Sequence, residues 1–247
     1  MKILLIFLIV ALLSIGLYLN RSYAHIYDTI DSVGLQASLK EREYTISSSV
    51  STSQVVYVAI GDSLTSGVGT TAYEMSYPYK LGEKIAENGS TVILRNYSYP
   101  GARTKGIIEN VLPLVQEEKA DIITILLGIN DVHGNVSLTD FREQYSQILK
   151  ELTSKSDVTI YTIALPFIGA PALLSFPYQY YFDWRTRKFN RVIEQLSAET
   201  HVHFIDLYSP TEKLFKEKGF HYSADFFHPS EEGYRMWSTV IYDRLNY

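Results

Sequence analysis

Val55-Val56-Tyr57-Val58-Ala59-Ile60-Gly61-Asp62-Ser63-Leu64 is an apolar, largely β-branched run closed by three turn-forming residues. Its first six residues are apolar at odd and even positions alike, which describes a strand covered on both faces rather than one with a wet side. Four further runs share this character: Thr91 to Arg95, Ile122 to Leu127, Val158 to Ile163 and Val202 to Asp206. Helical patterns separate them, at Tyr77 to Asn88, Thr104 to Glu117, Leu138 to Leu152 and Tyr181 to Glu199, and Ser230 to Leu245 closes the chain. The third of these puts Phe141, Tyr145, Ile148, Leu149 and Leu152 on one face. Strands alternating with helices predict an α/β protein, a three-layer α/β/α sandwich around a five-stranded parallel sheet.

With 247 residues, 46% of them hydrophobic and 20% charged, the chain can bury a core of one domain and an appendage. A net charge of -5 without long single-sign runs leaves no basic surface for nucleic acid, so no nucleic-acid partner is expected. There is no cysteine, which removes thiol nucleophiles, thiolate metal sites and disulfides together. Export stays compatible with this, because disulfides are permitted rather than required outside the cytosol.

Upstream of the first strand lie two segments of different character. After Lys2, the stretch Ile3 to Leu19 is apolar except for Ser14 and Gly16, and Asn20 and Arg21 end it. Such a run is at the short edge of a membrane span and long for the apolar part of a signal sequence. Residues 1–21 therefore read as a membrane anchor or signal segment. Ser22-Tyr23-Ala24 offers small residues for cleavage, whereas Arg21 and the length of the run favour an uncleaved anchor. With Lys2 held inside, the remainder lies outside the cytoplasm, anchored by this helix, or secreted if the segment is removed. Residues 22–53 read as a polar stalk, ending in the cluster Ser47 to Ser53, with a short helix from Tyr23 to Lys40 carrying Ile26, Ile30, Val33 and Ala37 near helical spacing. Residues 54–247 form the globular domain.

Three blocks of chemistry follow the predicted strands directly: Gly61-Asp62-Ser63-Leu64, Gly101 and Gly128-Ile129-Asn130-Asp131. Ligands of open α/β sheets bind beyond the carboxyl ends of strands, so these loops converge on one crevice. A fourth block, Asp225-Phe226-Phe227-His228, precedes the last helix. A serine hydroxyl attacks only when a base takes its proton, and a histidine oriented by a carboxylate is such a base. Spacing of three lets Asp225 and His228 meet within one loop. Attack on an ester carbonyl places negative charge on oxygen, which the Asn130 amide and the backbone N–H of Gly101 are suited to hold. Glycine at 101 leaves that N–H unobstructed. His201 and His203 share a face of the fifth predicted strand, but two histidines without a further ligand at known spacing make no metal site.

In this order the four blocks resemble the GDSL, or SGNH, hydrolases over residues 55–247. The resemblance implies the flavodoxin-like fold of that family and a serine esterase or lipase working through an acyl-enzyme. It implies that Ser63 is the nucleophile, with Asp225 and His228 as orienter and base. It further implies an oxyanion hole of the Ser63 N–H, Gly101 and Asn130, and no metal or organic cofactor. The Gly-x-Ser-x-Gly elbow of α/β-hydrolases is absent around Ser63.

Substrate is the least specified part. Leu165 to Tyr178 is proline-rich and unusually apolar for a loop, which suits acyl chains or packing against neighbouring helices. Tyr178, Tyr180, Tyr181 and Trp184 suit stacking on sugars. Lipid-like or short-chain acyl esters, an O-acetylated carbohydrate, and a silent membrane-tethered binding module all stay open. The oligomeric state is unspecified.

Overall fold

The opening run becomes the centre of a six-stranded sheet in the computed structural model, which describes residues 2–33, 43–47, 53–154, 157–167, 170, 172–218 and 221–245. In chain order the strands are β1 (Glu43–Ser47), β2 (Ser53–Gly61), β3 (Ser90–Ser98), β4 (Ile122–Leu126), β5 (Thr159–Ile163) and β6 (His203–Ile205). The helices are α1 (Lys2–Val33), α2 (Tyr77–Ala86), α3 (Thr104–Asn110), α4 (Leu112–Val115), α5 (Ile129–His133), α6 (Leu138–Thr153), α7 (Tyr178–Glu199), α8 (Tyr208–Lys218) and α9 (Glu231–Tyr242). Helices α2 and α9 pack together, as do α6 and α7, giving the expected layers of helix on a mostly parallel sheet.

Sheet order is β1-β3-β2-β4-β5-β6. The chain leaves β2, returns as β3 on one side of it, and then crosses to β4 on the other. That reversal makes the carboxyl end of β2 a topological switch point, where the loops after neighbouring strands part and leave a crevice. Tyr57, Val58, Ala59 and Ile60 are wholly buried there, as the doubly apolar run requires.

Three expectations need correction. The sheet has six strands, not five: Glu43–Ser47, within the supposed stalk, pairs antiparallel to β3 with Tyr44 opposite Leu94 and Ile46 opposite Val92. Only two apolar residues alternate in it, too short a signal to stand out from a polar segment. Those two hold the strand, Ile46 by burial in the core and Tyr44 by stacking 4.6 Å from the Tyr73 ring. Second, the helix expected from Thr104 to Glu117 breaks at Val111, and α4 begins with Pro113 in its first turn, where a missing N–H costs nothing. Third, the apolar run and the short helix expected after it are one helix, α1, whose Tyr23, Ile26 and Ile30 pack against the core. Ala37, Lys40 and the serines of 48–52 lie outside the described residues.

Candidate active site

Ser63 sits on the first turn after β2, where the backbone folds back at once: Thr65 and Ser66 N–H donate to the Asp62 carbonyl at 3.1 and 2.9 Å, and Val68 N–H to the Ser63 carbonyl at 3.1 Å. The Asp62 carboxylate is buried and accepts from Leu64 N–H at 3.0 Å. Its other oxygen has no partner among the described residues, and burial pushes the carboxyl up to about 7. The turn is tied to the end of β3 by Ser66 Oγ, 2.9 Å from Ser98 Oγ, which in turn donates to Asn96 Oδ1.

His228 reaches Ser63 across 165 positions of sequence, its Nε2 lying 2.9 Å from Ser63 Oγ. Its Nδ1 lies 2.5 Å from Asp225 Oδ2. The other oxygen of Asp225 accepts from Ser223 Oγ at 2.7 Å and from the N–H groups of Phe227 and His228 at 2.9 Å each. Burial pushes this carboxyl up, yet the hydrogen bond and charge of His228, with the Phe227 and Ser223 donors, hold it below its ordinary range. A carboxylate saturated in this way fixes the imidazole with Nε2 turned to the serine. The turn that allows it puts Phe226 at φ 56°, in the left-handed region.

The β3 and β4 loops meet the same point. Asn130 Nδ2 donates to the Ala102 carbonyl at 3.1 Å with one hydrogen, leaving its second free to point elsewhere. Thr104, after Gly101, donates through Oγ1 to Asp131 Oδ1 at 2.7 Å and through its N–H to both carboxylate oxygens. This buried clamp locks the glycine loop to the asparagine loop. Among the described residues, the backbone N–H groups of Ser63 and Gly101 make no hydrogen bond. Gly101 has φ +77°, which itself favours glycine, and a Cβ there would meet no protein atom within 4 Å. Gly69, unremarked in the sequence, is where the two halves touch, since a Cβ there falls 2.5 Å from the Pro229 carbonyl and 3.1 Å from the His228 side chain.

Ser63, Gly101, Asn130 and His228 line one cavity of about 570 Å³ together with Tyr27, Ile30, Val68, Pro100, His133 and Phe227. Asp225 stands behind His228. His133 stacks on Phe182 with ring centres 4.3 Å apart, and burial, then Arg185, lowers its pKa to about 4, so it is a neutral wall at physiological pH. None of Tyr178, Tyr180, Tyr181 and Trp184 lines the cavity, nor does any described residue of the 165–178 loop. Leu165, Phe167, Ala170, Leu173 and Leu174 are buried instead, so packing explains most of that loop's apolar character. His201 turns ahead of β6 at φ 57° and does not share a strand face with His203. Among the described residues no cluster of His, Asp and Glu suits a metal ion.

Such an arrangement can take a proton from a hydroxyl and present donors to an oxygen opposite it. A sequence model of the GDSL-like Lipase/Acylhydrolase family matches residues 59–236. The chain is 28% identical to the spore germination lipase LipC of Bacillus licheniformis over 207 residues, 75% of this chain and 93% of that one. In structure it is similar to a lipase from a goat rumen metagenome, with TM-score 0.63 and 25% identity over 77% of this chain and 97% of that one. The same fold, at TM-score 0.63 and 17% identity, is found in an acetyl xylan esterase, over 78% of this chain and all of that one.

Proposed function

The chain belongs to the GDSL-like lipase/acylhydrolase family and is a hydrolase, and from that premise we propose that it is a serine esterase whose nucleophile is Ser63. The observation that carries this reading is the unbroken hydrogen-bonded line Ser63 Oγ, His228, Asp225, ending in a cavity with Gly101 and Asn130 at its edge.

His228 Nε2 takes the Ser63 proton as Oγ attacks the ester carbonyl, and Asp225 stabilises the imidazolium. The carbonyl oxygen, now negative, is held by the N–H groups of Ser63 and Gly101 and the second amide hydrogen of Asn130. Collapse expels the alcohol, which takes the proton from His228, and leaves an acyl ester on Ser63. Water, deprotonated by His228, repeats the sequence and frees the acid.

An apolar ester fits the cavity better than a sugar. Besides Ser63, Gly101, Asn130 and His228 it is lined by Tyr27, Ile30, Val68, Pro100, Phe227 and the neutral His133, while Tyr178, Tyr180, Tyr181 and Trp184 lie outside it. Helix α1 is long and apolar enough over Lys2–Ile30 to cross a membrane, and Ile3 to Leu17 are exposed. We place it as an uncleaved anchor with the domain outside the cytoplasm, a reading favoured by the unbroken helix through Ser22 to Ala24. The test is fluorophosphonate labelling beside p-nitrophenyl ester turnover. Ser63→Ala is expected to abolish labelling and to lower kcat/KM by about 10⁴-fold or more. A variant that keeps either activity refutes the nucleophile, and an unreactive Ser63 in the parent chain favours a binding module.

A further inference from the structure

Two of the side chains lining the cavity, those of Tyr27 and Ile30, belong to α1 and lie outside the span that matches the family. Tyr23, Ile26, Tyr27 and Ile30 stand at positions i, i+3, i+4 and i+7, a single helix face. Ile26 is wholly buried, and Tyr23 and Ile30 pack on the core beside it. The Tyr27 hydroxyl donates to the His133 carbonyl at 3.3 Å, which sets its ring against the cavity wall.

Further down, the helix parts from the domain at a definite level. Tyr178 donates to the Leu19 carbonyl at 3.0 Å, and Tyr18 donates to the Phe176 carbonyl at 2.9 Å. Before these residues α1 is exposed throughout and, from Ile3 to Leu17, apolar except for Ser14 and Gly16. Phe176, Tyr180 and Trp184, all more than half exposed, belong to the segment pinned at that level. Aromatic residues gather where hydrocarbon gives way to headgroups, so on the anchor reading these residues put the membrane surface near residues 18–20. From Leu19 to Ile30 the helix rises about 16 Å, at about 1.5 Å per residue. One helix thus runs from lipid to the side of the cavity.

We infer that α1 is part of the substrate site, its Tyr27 and Ile30 forming with Val68 and Phe227 an apolar subsite for the hydrocarbon chain of an ester resident in the membrane that α1 enters. This rests on the reading of Ser63 as nucleophile. The helix then does more than tether: it selects chain length and confines hydrolysis to lipid of its own bilayer. Each methylene taken from water into such a subsite raises kcat/KM roughly fourfold. Filling the subsite removes that gain.

The experiment uses the full chain and two p-nitrophenyl esters, octanoyl and acetyl, the readout being the ratio of their kcat/KM values. A second pair, octyl and ethyl acetate, covers the case in which the subsite takes the alcohol side. Ile30→Trp is expected to lower the ratio about tenfold or more in one of the two pairs, and Ile30→Ala to shift it by a lesser amount. Leu12→Trp, on the exposed part of α1, leaves both ratios unchanged. In phosphatidylcholine vesicles, a long-chain ester is expected to be hydrolysed at least about tenfold faster when it shares the protein's vesicles than when it is supplied in separate ones. Ratios indifferent to both Ile30 variants overturn the subsite, and equal rates in the two vesicle arrangements overturn the membrane source. Fluorophosphonate labelling of the parent chain keeps the premises apart: a parent that takes the probe while the ratios stand still refutes this inference alone, and a parent that takes none refutes the nucleophile and the subsite with it.

Discussion

The cavity beside Ser63 is walled on one side by loops at the strand ends and on the other by the last turns of α1, and the two sides are held in different ways. On the loop side hydrogen bonds hold the walls: Asp225 accepts four of them, Asp131 clamps Thr104, and Ser66 is tied through Ser98 to Asn96. On the helix side the attachment is packing around Ile26 and a few tyrosine hydroxyls reaching carbonyl oxygens. Chemistry at a carbonyl needs donors placed to fractions of an ångström, and hydrogen-bond networks supply that. Recognition of a hydrocarbon chain needs shape and absence of water, which packing supplies without directional bonds.

The contrast predicts a ladder of effects. Asp225→Asn should be the most damaging change after loss of Ser63 itself, because an amide facing His228 Nδ1 favours the wrong tautomer; kcat is expected to fall about 10⁴-fold while the melting temperature moves little. If kcat falls less than tenfold, Asp225 does not orient the base. On the proposed mechanism Asn130→Ala removes one oxyanion donor and should lower kcat by about 10² to 10³, with KM nearly constant. A change confined to KM would move Asn130 from the transition state to ground-state binding.

A smaller effect tests the rigidity of the loop side through stability rather than rate. Burial raises the Asp62 carboxyl to about 7 in the folded chain, above its ordinary value of 3.8. The folded state therefore holds a proton that the unfolded state has lost, so this residue favours folding below about pH 4 and that advantage disappears as pH rises through about 7. Asp62→Asn, which keeps the acceptor for Leu64, should gain on the parent by a few kcal/mol between those limits. Unfolding midpoints measured from pH 4 to 8 check it, and a constant difference contradicts the buried carboxyl. The smallest effect belongs to the helix side: Tyr27→Phe loses the bonds of its hydroxyl to the His133 carbonyl and the Tyr23 hydroxyl and should cost about 2 kcal/mol or less in thermal unfolding. A loss several times larger would mean that α1 is held by its polar contacts after all.

How much of this could be read in advance follows the same division. Ser63, Gly101, Asn130, Asp225 and His228 were legible because each stands in a short contiguous block whose residue types have a local reason to be together. Their neighbours were not: Gly69 matters because Pro229 passes 2.5 Å from where its Cβ would be, and nothing near Gly69 in sequence announces Pro229. Asp131 lay in a block already singled out, yet its partner Thr104 is 27 positions away. The loop from Leu165 to Tyr178 was noticed for its apolar content, but composition cannot distinguish a chain that binds lipid from one that packs on its own core.

By itself, the sequence determined the strand and helix alternation, the apolar reach of the first helix and the residue types available for acyl transfer, since periodicity and turn chemistry act over a few neighbouring positions. Tertiary structure alone decided that β1 joins the sheet, that Gly101 takes a left-handed backbone angle, and that Tyr27 and Ile30 line the same cavity as Ser63. Contacts between distant segments depend on how layers pack, and packing is a property of the folded whole that no local stretch contains.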